Sequence, residues 1–143
     1  MFDATILLVD DEMGFVETMA KRLEKRNIQV FKAYDGDAAL LQLGKHPEIQ
    51  VVVLDVKMPI KDGQTVLQEI KRDFPLVEVI MLTGHATVEN AVEGIHNGAY
   101  DYLMKPCKLE ELTEKVREAV ALKQEHEEKA VEERMHDLTH RLA

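Results

Sequence analysis

Five side chains capable of polar chemistry each follow a short apolar run in this 143-residue sequence. Asp10 and Asp11 come directly after residues 5–9 (TILLV), and Asp55 directly after Val51, Val52, Val53 and Leu54. Thr83 closes residues 77–82 (VEVIML), and Lys105 closes residues 100–104 (YDYLM). Aspartate and threonine are common at strand ends, so no single one of these positions carries much. Together they describe a site. Three crowded carboxylates raise one another's pKa unless a cation sits among them. Oxygen ligands without a neighbouring histidine or cysteine point to a hard ion, and Mg²⁺, which keeps several waters and accepts few carboxylates, fits best. A hydroxyl and an ammonium opposite that ion make a pocket for an anion. Phosphoryl transfer asks for this kind of positioning and charge neutralisation, and an aspartate can itself accept the group as an acyl phosphate.

The elements needed to bring the five together are legible in the pattern. Four consecutive apolar residues, three of them β-branched, predict residues 51–54 as a strand buried on both faces, with Pro59 turning the chain soon after Asp55. Phe15, Met19, Ala20 and Leu23 recur at helical spacing after the first strand, and Asn27 closes that helix. Residues 29–33 (QVFKA) predict a second strand. Asp35-Gly36 opens a helix through Ala38, Ala39, Leu40 and Leu43 that stops near Gly44 and Pro47. Val66, Leu67 and Ile70 line a third helix after the turn at residues 59–63, ended by Pro75. Thr87 caps a fourth helix holding Val88, Ala91, Val92 and Ile95, with Asn97-Gly98 as its left-handed stop. Leu109, Leu112, Val116 and Val120 form the core stripe of a fifth. Five strands alternating with five helices predict an α/β fold, a doubly wound parallel sheet joined by right-handed crossovers. In the order 2-1-3-4-5 all five polar residues converge on one edge of the sheet, where ligands collect in open α/β sheets. No Gly-x-Gly-x-x-Gly follows the first strand and there is no Walker-type loop, which excludes the usual dinucleotide and nucleotide cradles.

Composition narrows the setting. Acids outnumber bases 27 to 18 and the net charge is −9, a balance that disfavours a nucleic-acid surface on this chain. No apolar run reaches the roughly 20 residues that span a bilayer, and Met1-Phe2-Asp3 is no basic leader, so a cytoplasmic location with no membrane contact is expected. Cys107 is the only cysteine, which rules out an internal disulfide or a thiolate metal cage.

Val9-Asp10-Asp11, Leu54-Asp55 with Met58-Pro59, Asp62-Gly63, Met81-Leu82-Thr83-Gly84 and Lys105-Pro106, in this order and at these spacings, resemble the receiver domain of two-component response regulators. The resemblance spans roughly residues 6–120. It implies a CheY-like (flavodoxin-like) sheet and a response-regulator role in phosphorelay signalling. It further implies Asp55 as phosphoacceptor, and Mg²⁺ held by Asp11, Asp55 and the backbone carbonyl of Lys57, with Asp10 helping through water. By the same resemblance Lys105 pairs with the phosphoryl oxygens, Thr83 moves to bond the phosphate, and Tyr102 is an aromatic switch that turns inward when Thr83 moves. Lys105-Pro106 matches a cis peptide of the family. Lys57 and His85 occupy positions that border the phosphoryl group in the family, although His85 is expected to face solvent. Lys108 departs from the family, where a capping aspartate is common, and leaves the first turn of the fifth helix in question. Partners implied are a sensor histidine kinase or a phosphotransfer protein.

The receiver is expected over residues 1–122 and a charged helical tail over residues 123–143. Val131, Met135, Leu138 and Leu142 fall at 4-3-4 spacing there, with Glu125–Lys129 and Asp137–Arg141 as favourable ion pairs. The fifth helix continuing through the tail and a homodimer through the stripe are the expectations, and receivers of NtrC-type transcriptional activators carry such a helix as a linker. A stand-alone regulator and an excised receiver remain equally open. Two rival functions are weighed. An aspartyl-nucleophile, Mg²⁺-dependent phosphatase would need an acid two residues after Asp55, where Lys57 stands. A pseudo-receiver that never takes phosphate would have no need of three crowded carboxylates. The chain is therefore expected to assist its own phosphorylation and hydrolysis without turning over an external metabolite.

Overall fold

The computed structural model describes residues 3–84 and 87–142; His85 lies outside them. The element order is β1 (Ala4–Val9), α1 (Met13–Glu24), β2 (Ile28–Ala33), α2 (Gly36–Lys45), β3 (Val51–Leu54), α3 (Gly63–Asp73), β4 (Glu78–Thr83), α4 (Val88–His96), β5 (Asp101–Met104) and α5 (Leu109–Leu142). All strand pairs are parallel and the sheet order is β2-β1-β3-β4-β5, as the alternating pattern requires. Side chains alternate across the sheet and divide the core into two layers. Ile6, Leu8, Val51, Val53, Ile80 and Leu82 meet α1 and α5 on one face. Leu7, Val9, Val52, Leu54, Val79 and Met81 meet α2 and α3 on the other.

Local signals set the ends of the helices. Asp35, Asp62 and Thr87 accept hydrogen bonds from the N–H groups of Ala38, Thr65 and Asn90, satisfying donors that a first helical turn leaves open. Asn27 (φ 65°) and Gly98 (φ 104°) take the left-handed conformation that stops α1 and α4. α5 forms from Leu109 without a capping side chain at Lys108; the Leu112 N–H reaches the Lys108 carbonyl at 3.1 Å. Its first turn carries Glu110 and Glu111, whose charge suits the positive end of the helix dipole. The Glu110 carboxylate takes its own backbone N–H and the Arg26 guanidinium, and both lower its pKa.

α4 differs from its expected role. Of its apolar stripe, Val88, Val92 and Ile95 are exposed, and its buried residue is Gly94, which packs against Tyr102, Gln64 and Met81. The helix is held to α3 by the Gln64 side-chain N–H donating to the Asn90 carbonyl at 3.0 Å. α5 runs unbroken through the tail. Beyond Val120 it still borders the body: His126 lies 3.7 Å from the buried carboxylate of Glu78, which also faces Lys71. Every residue from 128 to 142 is exposed. Among the described residues the tail's ion pair joins Lys123 and Glu127, and the expected Glu125–Lys129 and Asp137–Arg141 pairs are not formed. Among the described residues no helix is long and apolar enough to cross a membrane.

Candidate functional site

Strand register builds the site. Val9 is the partner of Leu54, so one further residue on each strand sets Asp10 beside Asp55. Both remain on the ladder: the Asp10 N–H bonds the Ala33 carbonyl at 3.2 Å and the Asp55 N–H bonds the Val9 carbonyl at 3.0 Å. On the other side, Leu54 pairs with Met81, and β4 continues to Thr83, which pairs with Met104. That register delivers Lys105 next to Thr83, and the Lys105 N–H donates to the Thr83 carbonyl at 2.9 Å. Asp10, Asp55 and Thr83 are buried, whereas Asp11 is exposed. Carboxylate oxygens of Asp10, Asp11 and Asp55 lie within 4.8 Å of one another. The Lys105-Pro106 peptide is cis.

The polar atoms are unevenly satisfied. Asp10 Oδ1 accepts the Glu12 N–H at 3.0 Å, and its Oδ2 accepts Lys105 Nζ at 2.5 Å. Lys105 Nζ also donates to Glu12 Oε1 at 3.2 Å and stands 4.1 Å from the centre of the Phe15 ring, close enough for the ring face to attract the cation. Asp55 Oδ1 is buried and bonds nothing. A buried carboxylate oxygen without a donor is costly, and the natural remedy here is a cation. Burial pushes the Asp10 carboxyl up, and the nearby Asp55 charge adds to it, against the opposing pull of Lys105 and the Glu12 N–H. Burial alone would lower the Lys105 ammonium. The hydrogen bond and charge of Asp10, together with the charge of Asp55, hold it above its ordinary value.

Gly63 fixes the loop after Asp55. Its N–H bonds the Val56 carbonyl at 2.6 Å, and a Cβ there would stand 2.1 Å from the Asp55 carbonyl oxygen. Lys57 is exposed, two residues beyond Asp55. Ile60, in the same loop, has φ 70°, an outlier for a β-branched side chain, and is fully solvent-exposed at 106%. The Tyr102 hydroxyl is buried and unpartnered, its pKa raised by burial and then by the charge of Asp55. The ring therefore already occupies an inward position.

Residues 6–117 match the response regulator receiver domain. This chain belongs to that family. As a receiver domain it is 35% identical over 116 residues to the transcriptional regulatory protein ZraR of Salmonella typhimurium, an alignment covering 81% of this chain and 26% of that protein. It is also 35% identical over 124 residues to the nitrogen assimilation regulatory protein NtrX of Azorhizobium caulinodans, covering 84% and 27% respectively. The receiver thus spans about a quarter of the length of these curated relatives. A receiver domain protein from Clostridium thermocellum superposes with a TM-score of 0.80 at 34% identity, over 85% of this chain and 97% of that one. NtrX from Brucella abortus, solved with ADP, superposes at 0.83 with 32% identity over 90% of this chain and 30% of that one.

The structure brings Asp10, Asp11, Asp55, Thr83 and Lys105 to one edge, as the strand order predicts. Glu12 and Phe15 were not singled out from sequence. Their roles depend on how α1 starts after the acidic turn, and the one available signal was their nearness to Asp10-Asp11 in the chain. Cys107 is half-buried, and burial followed by the charge of Glu111 raises its thiol pKa, which disfavours the thiolate.

Proposed function

We propose that this receiver is a phosphorylation switch in a histidine-to-aspartate relay, with Asp55 as the phosphoacceptor. The observation that carries the reading is Asp55, whose Oδ1 is buried and unbonded and whose carboxylate clusters with those of Asp10 and Asp11 while its charge reaches Lys105. The donor set is all oxygen and suits Mg²⁺, with Asp11, Asp55 and the Lys57 carbonyl as direct ligands and Asp10 acting through water. Bound there, Mg²⁺ supplies charge neutralisation at the phosphoryl oxygens. A carboxylate oxygen of Asp55 attacks phosphorus, and the bond from phosphorus to a kinase imidazole nitrogen, or to the leaving oxygen of a small acyl phosphate, breaks with its electron pair staying on the donor. The acyl phosphate adds a charge of about −1.5 to −2 if it ionises like other phospho-residues.

Lys105 then exchanges Asp10 for a phosphoryl oxygen, Thr83 donates its hydroxyl to another, and the Tyr102 ring locks inward beside it. The surface made by α4, β5 and α5 repacks for a partner. The receiver body covers residues 1–122 and the tail covers residues 123–143. Through the exposed stripe of Val131, Met135, Leu138 and Leu142, the tail pairs with a second copy. A sensor histidine kinase or phosphotransfer protein is the phosphodonor, and no external metabolite is turned over. The raised pKa of Asp10 is a burden that a module without phosphoryl chemistry has no need to carry.

The test is intact mass after incubation with acetyl phosphate and Mg²⁺, beside Asp55→Asn. One phosphoryl adduct is expected, dependent on Mg²⁺ and lost in the variant. No adduct, or one that survives Asp55→Asn, would transfer the reading to an unphosphorylated interaction module.

A further inference from the structure

The exposed end of α5 carries a second constellation, remote from Asp55. His136 and His140 are one helical turn apart, and their Nε2 atoms approach to 2.9 Å with the rings edge to face at a centroid distance of 4.2 Å. Both residues are exposed, and by helix rise the pair lies roughly 30 Å beyond Val120, where α5 leaves the core. No other pair among the six histidines has this i, i+4 spacing within a helix. At the stated separation one neutral ring can donate to the other. The same separation is also close to a chelate bite, since two metal–nitrogen bonds of about 2.0–2.1 Å span about 2.9 Å at an octahedral angle and about 3.3 Å at the tetrahedral angle zinc prefers.

We propose that His136 and His140 form a bidentate site for a borderline divalent transition ion such as Zn²⁺ or Ni²⁺. Imidazole nitrogens favour these ions and disfavour Mg²⁺, so the site is chemically separate from the all-oxygen cluster at Asp10, Asp11 and Asp55. Two histidines at i and i+4 on one helical face are a proven ligand spacing for zinc. Glu132 and Glu133 fall one turn earlier on the same side of the helix and are the nearest carboxylates for a further position. Advancing 100° per residue, the histidine pair points roughly 150° away from the stripe of Val131, Met135, Leu138 and Leu142. Metal binding therefore ties the last two turns of α5 together while leaving the apolar stripe free to pair.

The experiment is a titration of the whole chain with Zn²⁺ in excess Mg²⁺, read by the imidazole ¹⁵N resonances and by calorimetry, beside His140→Ala. The excess Mg²⁺ keeps the carboxylate cluster filled. Zinc is expected to move the Nε2 signals of His136 and His140 together, leaving the other histidines in place. His140→Ala should weaken this binding by more than about tenfold, equivalent to more than about 1.4 kcal/mol, while the phosphoryl adduct on Asp55 forms as before. Unmoved ring signals, or zinc affinity equal in the variant, would reduce the pair to a ring-to-ring hydrogen bond and overturn the site. Because the readout does not pass through Asp55, its failure is distinguishable from failure of the phosphoacceptor reading.

Discussion

At the scale of single residues, the site stores an electrostatic cost of burying charge. The folded chain holds the Asp10 carboxyl above its ordinary value, chiefly by burial. A carboxyl whose pKa is raised on folding binds its proton more tightly in the native state. Its penalty is therefore absent below the unfolded pKa and grows as pH rises through the folded one. Asp10→Asn removes the charge and keeps one oxygen to accept from Lys105, at the loss of the hydrogen bond from the Glu12 N–H. In EDTA at pH 7 the variant should unfold at higher urea by about 1 kcal/mol, and the gain should fade as pH drops towards 4. A gap that stays constant with pH would mean that the cost at Asp10 is not electrostatic. Ile60 carries a different strain, a left-handed φ of 70° on an exposed β-branched residue. Ile60→Gly loses no buried surface, so relief of that strain should outweigh the extra freedom of the unfolded chain, adding about 0.5–1 kcal/mol by thermal or urea melts. The five polar residues were legible because each terminates an apolar run. Glu12, Phe15 and the inward Tyr102 were not, because side-chain reach and ring orientation leave no trace in spacing.

At the scale of elements, what the sequence makes plain is hydrophobic periodicity and turn chemistry. The doubly buried β3 and the caps at Asp35, Asp62 and Thr87 formed where those signals stand. Two helices depart from the pattern for physical reasons. α4 exposes Val88, Val92 and Ile95 because its contact with the body is made by the flat side at Gly94, against Tyr102 and Gln64. An apolar stripe states that a face wants cover, not which body covers it. α5 starts without a capping side chain at Lys108, since Glu110 and Glu111 supply negative charge to its first turn. The junction of β3 with α3 depends on a close approach that sequence alone records only as Asp62-Gly63. A methyl at position 63 would strike the Asp55 carbonyl at 2.1 Å, and the atom struck is backbone rather than the end of a flexible side chain. Gly63→Ala should therefore cost about 2–3 kcal/mol in urea unfolding and slow phosphorylation by acetyl phosphate, because the same shift displaces Asp55. Unchanged phosphorylation with lowered stability would show that α3 gives way and Asp55 does not.

At the scale of the whole molecule, two opposing forces decide how the tail is used. Val131, Met135, Leu138 and Leu142 are between 48% and 85% exposed, on a helix that is exposed at every residue from 128 to 142. Their 4-3-4 spacing suits the seam of a coiled coil, and the proposed pairing with a second copy would remove that apolar surface from water. Against this, each chain carries a net charge of −9, so two copies repel. The stripe spans only about two heptads, so the proposed dimer should be weak and dependent on concentration. Salt acts on one force and scarcely on the other. The Debye length shortens from about 30 Å at 0.01 M to about 8 Å at 0.15 M, which screens the repulsion between chains while leaving apolar burial intact. Sedimentation equilibrium should therefore show dimerisation that tightens as salt rises across that range, opposite in sign to an interface held by ion pairs. Leu138→Asp should leave a monomer at both salts, with the Asp55 adduct still forming, because the seam lies beyond the body that holds the site. A dimer that survives Leu138→Asp would move the contact to the exposed apolar face of α4, and a dimer that weakens with salt would mean that charge, not the seam, holds the copies together.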